Sequence, residues 1–206
     1  MTADSALIVI DLQNDFCPGG RLAVAGGDEI VPLVNALQAE HGAVVLTQDW
    51  HPGEHASFAA NHPGAEPFSM TQAAYGPQVL WPVHCVQGTP GAAFHPDLAA
   101  DRADLVIRKG FRPAIDSYSA FFENDHETPT GLAGYLRERG ITDLEFCGLA
   151  TDFCVSWSAI DARAADLQVS VIEDAVRGID INGSVAAAWA SMRKSGVARI
   201  RSSDIA

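Results

Sequence analysis

A chain of 206 residues has the length of one domain, so 1–206 is expected to be a single folded unit. Hydrophobic residues make up 48% and charged residues 19%, enough core material to exclude a disordered chain. The net charge of −13, with only 13 scattered basic residues, argues against nucleic acid as a partner.

The opening MTADSALIVI has no basic segment and too short an apolar run for a signal peptide. No stretch reaches the ~18 apolar residues of a membrane span, so no membrane partner is expected and a cytoplasmic location follows by default. Residues 6–10, ALIVI, read as a buried strand. A helix follows over 28–40, with Ile30, Val31, Val34 and Leu37 on one face and Gly42 as the stop. AVVLT at 43–47 is a second buried strand. The stretch 49–103 is dense in Gly, Pro, His and Trp without periodicity, and reads as a long functional loop. DLVIR at 104–108 is a third strand, followed by a helix over 129–139. DLEFCG at 143–148 is a fourth strand, leading into a helix from Asp152 to Ala165. QVSVIED at 168–174, a helix over 183–194 and VARIR at 197–201 complete the series.

Strands alternate with helices, and the strands are apolar rather than alternating. That pattern predicts a three-layer α/β/α sandwich around a mostly parallel six-stranded sheet. Sites in such folds form beyond the carboxyl ends of the strands, on one edge of the sheet. Four of those ends carry chemistry: Asp11 after the first strand, Asp49 and His51 after the second, Lys109 after the third, and Cys154 in the turn after the fourth.

Of the four cysteines (Cys17, Cys85, Cys147, Cys154), Cys147 lies inside a strand and belongs to the core. Cys154 begins a helix, where backbone N–H groups and the helix dipole favour a thiolate and can hold an oxyanion. Its alternative is a small buried hydrophobe. Asp11 and Lys109 can be a plain ion pair; beside a thiol at the same rim, an Asp–Lys–Cys triad is the better reading. Asp49 and His51 stand two residues apart, on one side of an extended segment, and WPVHC adds His84. Two imidazoles and a carboxylate suit one divalent ion, Zn2+, Fe2+ or Mn2+, with positions left open.

DLQNDFCPGG at 11–20, TQDWHP at 47–52, WPVHCVQGTPGAAFHPDL at 81–98, RKG at 108–110, DSYSAFF at 116–122 and GLATDFCV at 148–155 resemble, in this order, the signature blocks of the nicotinamidase/pyrazinamidase family within the isochorismatase-like hydrolases. The resemblance implies a catalytic triad of Asp11, Lys109 and Cys154 and a metal site of Asp49, His51 and His84. It implies a cis peptide bond between Leu149 and Ala150, and an oxyanion hole from the N–H groups of Ala150 and Cys154. Phe16, Trp81 and Tyr118 match the walls of the ring pocket. The implied partner is a small aromatic amide. The implied reaction converts nicotinamide, and pyrazinamide, to the acid and ammonia through a Cys thioester, within NAD salvage. A homo-oligomer stays open. The sequence departs from the family pattern where some members carry a fourth metal ligand. Here HASF offers Ser57 or His55 instead.

Two rivals remain at this level. A hydrolase of the same fold acting on another amide would share the triad but generally lack the metal trio. A redox sensor would oxidise Cys154 and need an exposed, low-pKa thiol.

Overall fold

The computed structural model describes residues 4–205. In chain order these form β1 (Ser5–Ile10), α1 (Val31–Glu40), β2 (Val44–Asp49), β3 (Met70–Ala73), β4 (Gly76–Val79), β5 (Leu105–Lys109), α2 (Leu132–Arg139), β6 (Asp143–Leu149), α3 (Ser156–Ala164), β7 (Gln168–Arg177), α4 (Ser184–Lys194) and β8 (Ala198–Ile200). Six strands make one sheet in the order β5-β2-β1-β6-β7-β8, every neighbouring pair parallel, with helices flanking it.

The apolar runs explain the order. The residues Ala6–Ile10 of β1 are at most 1% exposed and lie mid-sheet, and every residue of β2 is buried. A strand buried on alternate sides along its whole length must have both sheet faces covered. β5 is the exception to the expected all-apolar strands. It lies at the sheet edge and alternates between half-buried and exposed residues up to Lys109. Helix α2 stops at Gly140, whose left-handed φ of 68° lets its N–H reach the carbonyls of Leu136 and Arg137.

Three other expectations need correction. The segment 49–103 is not purely loop: β3 and β4 pair as an antiparallel hairpin outside the main sheet. The helix expected from Asp152 starts with a wide π-helical turn, Thr151–Val155, before α3. Residues 28–30 form a turn ahead of α1 rather than its first turn. No helix among the described residues is long and apolar enough to cross a membrane.

One glycine sets the entry to the site. Gly148 has φ 107°, and a Cβ there would lie 2.1 Å from the Ile10 carbonyl oxygen. Only glycine lets β6 lie this close to β1, so the chain turns after both strands emerge side by side.

Candidate active site

β5, β2, β1 and β6 are consecutive in the sheet, and their carboxyl ends bring Lys109, Asp49, Asp11 and the Ala150–Cys154 turn to one rim. Asp49 and Lys109 are direct register partners. The segment DLQND pins the surroundings with alternate residues. Asp11 adopts a left-handed φ of 44°, a conformation that Asp tolerates better than most residues. Its N–H donates to Thr47 Oγ1 (3.1 Å), and the same hydroxyl donates back to Asp11 Oδ1 (2.6 Å). Gln13 accepts the Asp49 N–H (2.8 Å) and donates to the Asp49 and Ala92 carbonyls. Asp15 accepts the Cys85 N–H (2.7 Å) and so fixes the loop that carries His84.

Lys109 is 1% exposed and lies at the centre. Its Nζ is 2.7 Å from Asp11 Oδ2, 2.5 Å from Asp49 Oδ1, and 3.3 Å from Cys154 Sγ, and it also donates to the Ser117 carbonyl at 3.0 Å. Cys154 Sγ and one oxygen each of Asp11 and Asp49 lie within 4.8 Å of one another. Oδ2 of Asp11 is ion-paired but receives no well-directed hydrogen bond, so a lone pair remains for a proton. Burial pushes the Asp11 carboxyl up, with the Lys109 charge opposing it. Burial also pushes the Cys154 thiol well up, against the pull of Lys109. Burial by itself would lower Lys109, but Asp11 and Asp49 together raise it well above the usual range and keep it charged. Asp49 ends well below the usual carboxylate range, because Lys109 and His51 outweigh its burial. Cys154 is buried with its sulfur beside Lys109 and the Asp11 and Asp49 carboxylates, the surroundings of a nucleophile with an adjacent base.

Asp49 faces two ways. Its second oxygen, Oδ2, is 3.5 Å from His51 Nε2 and 3.8 Å from His84 Nε2. His51 Nδ1 meets the Gly110 carbonyl and His84 Nδ1 the Pro82 carbonyl, each at 2.8 Å. A carbonyl only accepts, so both Nδ1 atoms carry the proton. In the neutral rings both Nε2 lone pairs then point toward a carboxylate oxygen. One possible ligand atom each of Asp49, His51 and His84 thus lies within 4.8 Å of the others, and the Nδ1 bonds orient the two rings.

His55 is placed differently. Its Nε2 donates to the Ile115 carbonyl (3.2 Å), and its Nδ1 accepts from the Ser57 N–H and lies 2.7 Å from Ser57 Oγ. Both nitrogens are engaged, although the ring centroid lies 4.5 Å from that of His51, the planes tilted by 46°. His51, His55 and Asp116 also offer three possible ligand atoms within 4.8 Å of one another, but both His55 nitrogens are already engaged within the protein.

Phe16, Trp81 and Tyr118 line the adjoining cavity together with Phe153, Asp116 and Ala150, and Asp49, His51, His84 and Cys154 form its far side. Trp81, Tyr118 and Phe153 pack edge to face, 4.8–6.1 Å between centroids. The cavity is tight and its lining mostly aromatic and aliphatic. The Leu149–Ala150 bond is cis. The Ala150 carbonyl takes the N–H groups of Phe153 and Val155, both at 3.1 Å, and Cys154 between them is not one of its donors. Asp116 and Phe153 are cavity residues that the sequence reading passed over. Phe153 precedes the cysteine in the quoted GLATDFCV, and Asp116 opens the quoted DSYSAFF, so position in the motif was the available signal.

This chain belongs to the isochorismatase domain family, whose model matches residues 5–204. Within that family it is similar to a nicotinamidase of Acinetobacter baylyi, 58% identical over 97% of this chain and 94% of that protein. It is also similar in structure to a nicotinamidase/pyrazinamidase of Acinetobacter baumanii, at TM-score 0.99 and 57% identity over 100% of both chains. A pyrazinamidase of Pyrococcus horikoshii in complex with zinc superposes at TM-score 0.77, with 36% identity over 96% of this chain and 99% of that one.

Proposed function

We propose that this protein hydrolyses nicotinamide to nicotinate and ammonia, and pyrazinamide likewise, returning nicotinate to NAD salvage. The observation that carries the reading is the single ammonium of Lys109, which joins Asp11, Asp49 and the Cys154 sulfur at one rim, beside the converging Asp49, His51 and His84. The similarity to proteins described as nicotinamidase and pyrazinamidase supports the choice of substrate.

The aromatic cavity takes the pyridine ring against Phe16, Trp81 and Tyr118, with the carboxamide toward Cys154. Asp11 accepts the thiol proton, and the Lys109 charge stabilises the thiolate 3.3 Å away. The sulfur attacks the carboxamide carbon, and the N–H groups of Ala150 and Cys154 hold the oxyanion. Asp11 returns its proton to the departing nitrogen, which leaves as ammonia. Asp11 then takes a proton from water, the hydroxide opens the thioester, and the thiol is restored as nicotinate departs. Asp49, His51 and His84 would hold a divalent ion, Zn2+, Fe2+ or Mn2+ on the donor set, which would supply Lewis-acid chemistry beside the ring.

The test is ammonia release from nicotinamide by the purified, metal-supplied protein. Cys154→Ala should abolish turnover and keep nicotinamide binding in calorimetry. Turnover near wild type in that variant removes the nucleophile assignment. Silence from the wild type removes nicotinamide as the substrate.

A further inference from the structure

We propose that Gln78 is a positioning residue, whose buried carboxamide holds Asp116 and the Tyr118–Trp81 ring pair in place and so sets the shape of the substrate cavity. The inference rests on the amidase reading above. Gln78 is 2% exposed and lies on β4 of the outer hairpin, and it does not itself line the cavity. Its Nε2 meets Val79 O (2.7 Å), Asp116 Oδ2 (2.9 Å) and Tyr118 Oη (2.9 Å). The first two partners can only accept, which fixes the orientation of the amide. Its Oε1 accepts from Tyr75 Oη (3.0 Å) and Asn124 Nδ2 (3.2 Å).

Each partner leads back to the cavity. Tyr118 Oη also accepts the Trp81 indole N–H (3.0 Å), so one amide group serves both aromatic walls. Asp116 lines the cavity, and one of its oxygens lies within 4.8 Å of ring nitrogens of His51 and His55. Asn124 Oδ1 accepts the Tyr118 N–H (2.9 Å), and the Asp116 N–H reaches Tyr75 Oη (3.3 Å). The hairpin thus clamps the 116–124 loop through the side chains of Gln78 and Tyr75. A buried hydrogen-bonded network holds rings more rigidly than apolar packing does. An apolar residue at 78 would leave Asp116, Tyr75 and Asn124 short of partners and free the rings to shift.

Steady-state kinetics with nicotinamide on the metal-supplied full chain decide the matter. Gln78→Leu should raise KM roughly ten-fold and leave kcat within about two- to three-fold, because binding is lost and the triad is untouched. Gln78→Glu adds a readout that general damage would not produce. The titratable groups against position 78 are Asp116, Tyr75 and Tyr118. Burial pushes both phenols up, Tyr75 to about 12, so they stay neutral through the assay range. A protonated carboxyl at position 78 restores one donor, and KM should stay near wild type at low pH. As that carboxyl ionises beside Asp116, KM should climb toward the Gln78→Leu value. If Gln78→Leu does not fold, the Gln78→Glu profile decides alone. Variants whose KM matches an active wild type at every pH overturn the inference alone. An equal fall in kcat and thermal stability without a pH-dependent KM also overturns it. A wild type that releases no ammonia overturns the amidase reading and this inference with it.

Discussion

Lys109 is buried and held in its charged form by Asp11 and Asp49. Lys109→Met would leave Asp11 and Asp49 buried and facing each other without a counter-charge. Breaking such a buried group costs about 3–5 kcal/mol, to be read from denaturant midpoints, and turnover should vanish with it. A variant as stable as wild type contradicts the geometry. Asp11 makes a second prediction. It must be ionised to accept the thiol proton, and burial moves its pKa above the ordinary 3.8. The acid limb of kcat/KM should therefore lie above 3.8, since activity falls as pH drops through the raised value. A limb at or below the ordinary value would assign the base elsewhere.

At the scale of elements, the strand ends do the placing, and Gly110 just past β5 illustrates how tightly. It has φ 66°, and a Cβ there would lie 2.4 Å from His51 Cε1 and 2.6 Å from His51 Nδ1. Gly110→Ala should displace the His51 ring, break its bond to the Gly110 carbonyl, and weaken metal affinity by roughly 10- to 100-fold in a competition titration. Unchanged affinity would remove His51 from the ligand set. The central strands that lead into the site were legible because ALIVI and AVVLT are apolar throughout, and because polar residues at strand ends are costly unless used. The β3–β4 hairpin was not legible. MTQA and GPQV are mostly exposed or half-buried, and their polar residues give no period-2 apolar signal. Gln78 therefore looked like any loop glutamine. The π-helical turn was hidden as well, because a wide turn and the first turn of an α-helix draw on the same residues. Of the candidate metal trio, Asp49 and His51 share a motif and WPVHC supplies His84; the His51 N–H bonds the Cys85 carbonyl (3.0 Å), which brings the two segments together.

At the scale of the molecule, a ligand that binds only the folded state stabilises it. Asp49, His51 and His84 come from two distant segments and have no preformed arrangement in the unfolded chain. Chelation should therefore lower Tm, and added Zn2+ should restore it, by about 2.7 kcal/mol at a free metal concentration of about 100 Kd. A Tm indifferent to chelator and metal would mean that the trio does not hold the ion in the native protein.

The sheet order has a further consequence for handling the protein. The four strands that deliver the triad and the metal ligands lie together on one side, and β8 forms the opposite edge, two strands beyond β6. No residue of β8 lines the cavity or bonds to a member of it, and β8 is joined to the sheet by only three register pairs to β7. Immobilising the enzyme on a surface, or attaching a reporter, is best done along that margin. Chemistry and attachment then lie at opposite ends of one sheet, and a change at one margin leaves the other intact.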